Sequence, residues 1–306
     1  MSQVRQQARA GTNAPEVFHD IESLIHEMRL FKDPCEIETM RQAAAISAEA
    51  HIRAMRSCKL GKREYQLEAE LLYEFRYRGA QSVAYNSIVA AGANACVLHH
   101  RAGSAELLDG DLCLIDAGCE LNGYASDITR TFPINGRYSA SQRVLYDITL
   151  AAQEAAVAQT RPGKTFIDPH HAAIRVLTQG LIDEKLIKLS DVGSLDNAIE
   201  LGAYKLFYMH RTSHWLGMDV HDVGSYRESH INQPVDQEKP WRVLKKDMVL
   251  TIEPGLYIRP ADDIPKVFWN IGIRIEDDAV VTDQGCELIS RGVPVDPLEI
   301  EAIVRS

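Results

Sequence analysis

With 306 residues the chain is long enough for one large domain or two medium ones, and it can bury enough surface to fold without staples. Apolar residues at 45% and charged residues at 25% are ordinary for a soluble globular protein. A formal charge of −10 argues against nucleic acid as the main partner, and no run of about 18 apolar residues marks a membrane-spanning helix.

The opening 20 residues are polar, carry Gly11, Asn13 and Pro15, and lack the apolar core of a secretory signal. They read as a linker remnant or frayed end, with 1–25 as linker and 26–306 as one domain. The six cysteines (Cys35, Cys58, Cys96, Cys113, Cys119, Cys286) form no CxxC pair and are read as small apolar core residues in a reducing compartment, so the expected location is cytoplasmic.

A helix is predicted from Asp33-Pro34, with Asp33 as N-cap, Pro34 in the first turn and Glu36 closing a capping box. Its apolar stripe is Ile37, Met40, Ala44, Ala48, Ile52 and Met55. A second helix spans about Glu64 to Arg78, with Leu67, Leu71, Leu72 and Phe75 inward and Gly79 as the stop. Strands are predicted at Ser82–Ala90, Leu112–Asp116 and Tyr124–Phe132. The pattern then restarts: an Ala-rich helix over 141–159, a helix from Asp168-Pro169 to Gly180, and strands at Met248–Ile258 and Ile271–Val281. Helices followed by strands, twice over, give an α+β class.

The halves also resemble each other in detail. Lys59-Leu-Gly61-Lys62 and Arg161-Pro-Gly163-Lys164 each precede a helix. Asp111–Gly118 parallels Asp247–Gly255 with one residue inserted, and Gly123–Asp127 parallels Gly272–Glu276. Three matched pairs in the same order indicate a duplicated unit with a pseudo-two-fold relation.

Each copy supplies two acids at the ends of apolar strands. In the first, Asn122-Gly123 is a hairpin signal between Asp116 and Asp127. A turn centred between Leu121 and Asn122 makes the aspartates direct partners. A turn centred between Asn122 and Gly123 sets Asp116 opposite Thr129, with Asp127 as the diagonal neighbour. Both registers leave the two carboxylates on one face. Such a pair repels unless a cation lies between, and an isolated buried charge is costly. The second copy adds Glu253 and Glu276, and four acids on apolar strands are hard to bury without metal. His210, His214 and His221 fall within twelve residues. The first two have i,i+4 spacing, but no Glu follows His210, so the segment is not the HExxH zinc motif. Singly each histidine suits a structural role; together, beside Gly217, they favour a site. His99-His100, after an apolar run, could face the same cleft.

The segment His210–Asp222 resembles the signature of the proline-specific metallopeptidases, aminopeptidase P and prolidase. With 26–32, Leu114–Gly118, Asp127–Phe132, Thr251–Tyr257 and Gly272–Asp277, the resemblance covers about residues 20–300. Ser213-His-Trp215 is closer to aminopeptidase P than to prolidase. The resemblance implies the pita-bread fold, a pseudo-symmetric α+β domain with a curved antiparallel sheet, and two divalent metal ions, usually manganese. By residue, Asp116 would chelate one metal, Asp127 and Glu276 would bridge both, and His214 and Glu253 would complete the other. It implies hydrolysis of Xaa-Pro-peptides by a bridging hydroxide, with Glu253 as general base, His210 at the scissile carbonyl, and His99 and His221 lining the proline pocket. Arg274, two residues before Glu276 and on the same strand face, would orient a metal ligand; the competing reading is a surface ion pair. Creatinase shares the fold but lacks the metal ligands. Methionine aminopeptidase shares fold and ligands with a different substrate pocket.

Full-length aminopeptidase P has a further amino-terminal domain that this sequence is expected not to contain. Alternative expectations are therefore an Xaa-Pro dipeptidase or a folded but poorly active fragment. The expected partner is a peptide with proline at its second position, with no nucleic acid or membrane, and a homo-oligomer is left open. Arg211, usually small in the family, would narrow the cleft, and His100 stands where an aromatic is commoner.

Overall fold

The computed structural model describes residues 20–228 and 239–306. Residues 1–19 of the expected linker lie outside them. Helix α1 spans Glu22–Leu30, so the chain is helical from within the segment read as linker.

Helix α2, Pro34–Ser57, starts as its sequence requires. Asp33 Oδ1 accepts from the N–H groups of Cys35 and Glu36, and the Glu36 carboxylate returns a bond to the Asp33 N–H, so orphan donors of the first turn are satisfied reciprocally. Ile37, Met40, Ala44, Ala48 and Met55 are buried as expected, and Ile52 packs half-buried at the edge of the core. Helix α3, Glu64–Tyr77, buries Leu67, Leu71 and Phe75, but Leu72 is exposed because it sits off the i, i+4 row that faces α2.

Four of the five predicted strands are broken, two of them in the first copy. Ser82–Ala90 divides into β1 (Ser82–Val83) and β2 (Ile88–Ala91), which join different sheets. After β3 (Leu112–Asp116) and β4 (Cys119–Leu121), the Tyr124–Phe132 run divides into β5 (Tyr124–Ala125) and β6 (Thr129–Pro133). Pairing is antiparallel: β3 lies between β2 and β6, and β4 between β1 and β5. The turn centres between Asn122 and Gly123, both with positive φ as a tight hairpin demands, which selects the register with Asp116 opposite Thr129. Gly118 allows the break before Asp127: a Cβ there would stand 1.7 Å from the Ser126 carbonyl oxygen.

Helix α4 (Ala140–Gln159) packs on α5 (Asp168–Asp183). The latter runs past Gly180, which is not a stop. A Cβ at Gly180 would meet the Ile148 side chain at 2.6 Å, so this glycine serves close helix approach. Short helices α6 (Leu189–Val192) and α7 (Leu195–Glu200) follow. Then come β7 (Val249–Ile252), β8 (Gly255–Ile258), β9 (Ile271–Arg274), β10 (Asp277–Val281) and β11 (Cys286–Leu288), and α8 (Pro297–Arg305) closes the chain.

The order β3-β4-β5-β6 thus returns as β7-β8-β9-β10, with outer strands paired and inner strands paired in both copies. Asp116 and Glu253 fall at or just after the first strand of each copy. Asp127 and Glu276 fall in the break before the last. The copies meet at those breaks. The Glu276 N–H donates to the Thr129 carbonyl, and the Asp127 N–H donates to the Asp278 carboxylate, a reciprocal contact of the kind two-fold-related units make. The molecule is α+β. Four of the cysteines are buried, but Cys286 is half-buried and Cys35 exposed, and all six are free thiols. Among the described residues no helix is long and apolar enough to cross a membrane.

Candidate metal centre

The strand breaks exist because their residues have other hydrogen-bonding work. Arg130, fully buried, donates to the carbonyls of Thr129, Glu276, Val293 and Pro294 and to the Asp277 carboxylate, so one guanidinium holds the backbone of both copies at their junction. That junction aims the acids inward. Asp127, His214 and Glu276, all buried, each present a donor atom within 4.8 Å of the others. The remaining two expected ligands join from the sides. Glu253 Oε1 is 3.6 Å from His214 Nε2, which is also 3.4 Å from Asp127 Oδ2. Asp116 shares one phenol with Asp127: the Tyr85 hydroxyl is 2.5 Å from an oxygen of each.

Every one of these side chains is aimed by a neighbour. Thr129 Oγ1 donates to Glu276 at 2.5 Å. The Thr251 hydroxyl accepts the His214 backbone N–H. His214 Nδ1 lies 3.0 Å from the Trp215 carbonyl, where it serves as donor, and this turns Nε2 toward the acids. Arg274 is buried, donates to Asp116, to Thr129 Oγ1 at 3.1 Å and to the Tyr257 hydroxyl at 2.9 Å, and is no surface pair.

Burial pushes the Glu276 carboxyl well above the usual range, with the charges of Asp127, Glu253 and Asp116 adding to the effect. It raises Asp127 and lifts Glu253 to about 7. For His214 burial acts downward, but Asp127 and Glu253 outweigh it and raise the imidazole to about 9. So many acids in one desolvated space are unfavourable as anions by themselves. Two divalent cations would supply the missing positive charge, and four oxygen-donor side chains with one imidazole suit hard ions. The residues fit such a group.

The other expected residues take separate places around a cleft of about 750 Å³. His210 stands with Nδ1 3.6 Å from Glu253, bonded at Nδ1 to the Arg211 carbonyl and at Nε2 to the Tyr257 hydroxyl, and burial lowers it to about 3, so it is a neutral imidazole. His221 is exposed and stacks on the His214 ring, centroids 3.8 Å apart and 8° from parallel. His99 is exposed on the cleft wall, and Arg211 also lines it, its guanidinium 5.1 Å from the Trp241 ring. His100 reaches the cleft edge but spends Nε2 on Glu64.

Sequence reasoning missed Tyr85, Thr129, Thr251 and Tyr257. Thr129 and Thr251 each lie two residues from an acid, the same-face offset that singled out Arg274. Tyr85 left no such signal, because it sits in the break that the sequence presents as continuous strand. Replacing Arg274 by Met should lower metal affinity by about 10–100-fold, the usual cost of losing a group that orients a ligand, and a metal titration of the folded variant checks it.

Comparison with known proteins fits this geometry. The profile of metallopeptidase family M24 matches residues 38–283. The Xaa-Pro aminopeptidase of Escherichia coli K12 is 44% identical over 304 residues, covering 99% of this chain and 66% of that protein. Human Xaa-Pro aminopeptidase 3 is 37% identical over 287 residues, covering 92% and 53%. Among solved structures, Pseudomonas aeruginosa aminopeptidase PepP superposes with a TM-score of 0.93 at 50% identity, covering 99% of this chain and 66% of that one. Escherichia coli aminopeptidase P in complex with substrate gives 0.92 at 44%, with the same coverage. The chain spans about two thirds of the length of the bacterial relatives it matches. It shares their α+β pita-bread fold, and with four fifths of its length matched by the profile, it belongs to metallopeptidase family M24.

Proposed function

We propose that this chain is a two-metal Xaa-Pro aminopeptidase catalytic domain, spanning residues 26–306, that releases the first residue of a peptide whose second is proline. The observation that carries this reading is the convergence of Asp116, Asp127 and His214 with Glu253 and Glu276, from both copies of the repeat, on one cleft. Asp116, Asp127, His214, Glu253 and Glu276 would hold two divalent ions, Mn²⁺ by the hard character of the donors, which when bound activate a water and polarise the scissile carbonyl.

The remaining work falls to the chain. Glu253 takes a proton as the water oxygen bonds to the carbonyl carbon, then delivers it to the proline nitrogen as the C–N bond breaks. That nitrogen carries no hydrogen of its own, so departure without this proton would be especially poor. Asp116 receives the free amine of the peptide, which restricts cleavage to the first residue. His210, neutral beside Glu253, faces the scissile carbonyl. It can donate there once Nε2 carries the hydrogen and gives up Tyr257. His99 and His221 line the proline subsite, with His221 held flat against His214. A homo-oligomer is compatible with this reading.

Family membership implies divalent ions, and the nearest test is hydrolysis. An Xaa-Pro-Xaa tripeptide should be cleaved with added Mn²⁺ and left intact after chelation. Preference for an Xaa-Pro dipeptide in the same assay would make the chain a prolidase. One observation favours a second reading: the bacterial relatives are about half as long again. A fragment that binds Mn²⁺ but turns over slowly would show metal uptake with weak hydrolysis of both peptides.

A further inference from the structure

The start of α3 carries a carboxylate that the peptidase reading leaves unused. Glu64 is fully buried, and both its oxygens are filled by one segment of chain. Oε1 accepts the Ala91 N–H at 2.8 Å and Asn94 Nδ2 at 2.9 Å. Oε2 accepts His100 Nε2 at 2.8 Å and the Gly103 N–H at 2.9 Å. These four donors hold Glu64 below the usual carboxylate range against the upward pull of burial. A buried anion with every lone-pair direction used is a fixed point, since loss of the acceptor strands donors away from water.

The segment it grips forms one side of the cleft: Leu98, His99, His100 and Arg101 line the cavity. Its first part has a second anchor. The 3₁₀ turn Gly92–Cys96 lies directly on β9, where a Cβ at Gly272 would meet the Ala95 carbonyl at 2.3 Å, and Arg259 donates to the Cys96 carbonyl. Leu98 and Ala102 pack partly buried against the core, but among the described residues 97–103 has no second polar anchor. Its hydrogen bonds are two local ones, Val97 N–H to Asn94 and His100 N–H to Val97, and those to the start of α3, where Glu64 takes two and Tyr65 N–H donates to the Gly103 carbonyl.

We propose that Glu64, through His100 and Gly103, is a positioning residue that fixes the 97–103 wall and so presents His99 to the part of the peptide beyond the scissile bond. This rests on the peptidase reading for its substrate, while the anchoring itself does not. Glu64 touches neither the five candidate ligands nor the cleft contents, so it acts on substrate affinity and leaves the chemical step alone.

The test uses Mn²⁺-loaded full chain, comparing wild type with Glu64→Gln and His100→Phe by amide hydrogen exchange, metal content and tripeptide kinetics. In Glu64→Gln the amide keeps the shape, but its NH₂ faces donors. Exchange across 91–103 should quicken about tenfold or more with the sheets unchanged, KM should rise by about tenfold, and kcat and metal content should hold. Unaltered exchange in 97–103 overturns the anchoring, and a fall in kcat at constant KM overturns the positioning role. If Glu64→Gln does not fold, His100→Phe removes one partner of a side chain that is partly exposed, and normal protection of 97–103 in that variant overturns the proposal. Wild-type protein that cleaves no peptide defeats the peptidase reading, and the exchange comparison still decides the anchoring.

Discussion

Glu253→Gln should fold, keep most of its metal and lose about 10³-fold or more in kcat, which is about 4 kcal/mol of transition-state stabilisation. Glu253 follows β7 at the point where the chain leaves the sheet, its N–H is bonded to the Thr212 carbonyl, and its carboxylate lies between His210 and His214. An amide keeps that shape and one oxygen donor. What it loses is the capacity to take a proton from water and return it to the leaving nitrogen. In the metal-free chain burial raises this carboxyl to about 7. Single-turnover kinetics beside metal analysis separates the outcomes: near-normal turnover removes Glu253 from the base role, and a large fall in metal content makes the loss one of binding.

How far the sequence alone reached depends on how local each signal is. The capping box at Asp33 and the Asn122-Gly123 turn are satisfied by neighbours a few residues away, so their elements fall where expected. Duplicated strand ends could be matched by eye, and the acids they carry do meet. The strand breaks were not legible. Met248–Ile258 and Ile271–Val281 each read as one apolar run, yet both divide beside a glutamate: at Glu276 the partners of the break, Arg130 and Thr129, come from the other copy about 145 residues away, and at Glu253 the N–H turns to the Thr212 carbonyl. Tyr85 was hidden because it sits in the break between β1 and β2, within a run that reads as continuous strand, and its partners lie 31 and 42 residues on. His210 and His214 have helical i,i+4 spacing, but the segment is irregular and their partners are Tyr257 and Thr251, from β8 and β7. Period-two alternation would have found Thr129 and Thr251; no local pattern reports a side chain whose role is fixed by a contact between repeats.

Glu276→Gln should abolish hydrolysis while leaving the metal-free fold almost untouched, and the contrast rests on the charge balance of the centre. Without metal, burial and three neighbouring acids make the neutral carboxyl of Glu276 the favoured form, and an amide is close to its isostere. The Thr129 hydroxyl can still donate to the amide oxygen. The melting temperature of metal-free protein at pH 7 should therefore stay within about 2 °C of wild type. With metal the comparison reverses, because a bridging carboxylate has been replaced by a weak neutral donor, and affinity should fall by more than the roughly 10–100-fold cost of losing an outer partner. The pH dependence has a definite sign. Glu253 and His214 are both raised in the folded, metal-free chain, from 4.5 to about 7 and from 6.5 to about 9. Stability from a raised group is complete below its unfolded value and lost as pH climbs through the folded one, while His51, His170, His210 and His221, lowered by burial, act the other way only up to about pH 6.5, so metal-free wild type should soften between about pH 7 and 9. Metal ligands must lose their protons to bind, so the rise in melting temperature on adding Mn²⁺ should grow over the same interval. Thermal scans of wild type and Glu276→Gln with Mn²⁺ and with chelator, at pH 5.5, 7 and 8.5, read both effects. A variant that keeps the full Mn²⁺-induced rise would show that Glu276 holds no metal, and a chelated wild type that stiffens between pH 7 and 8.5 would contradict the charge balance of the two-ion site.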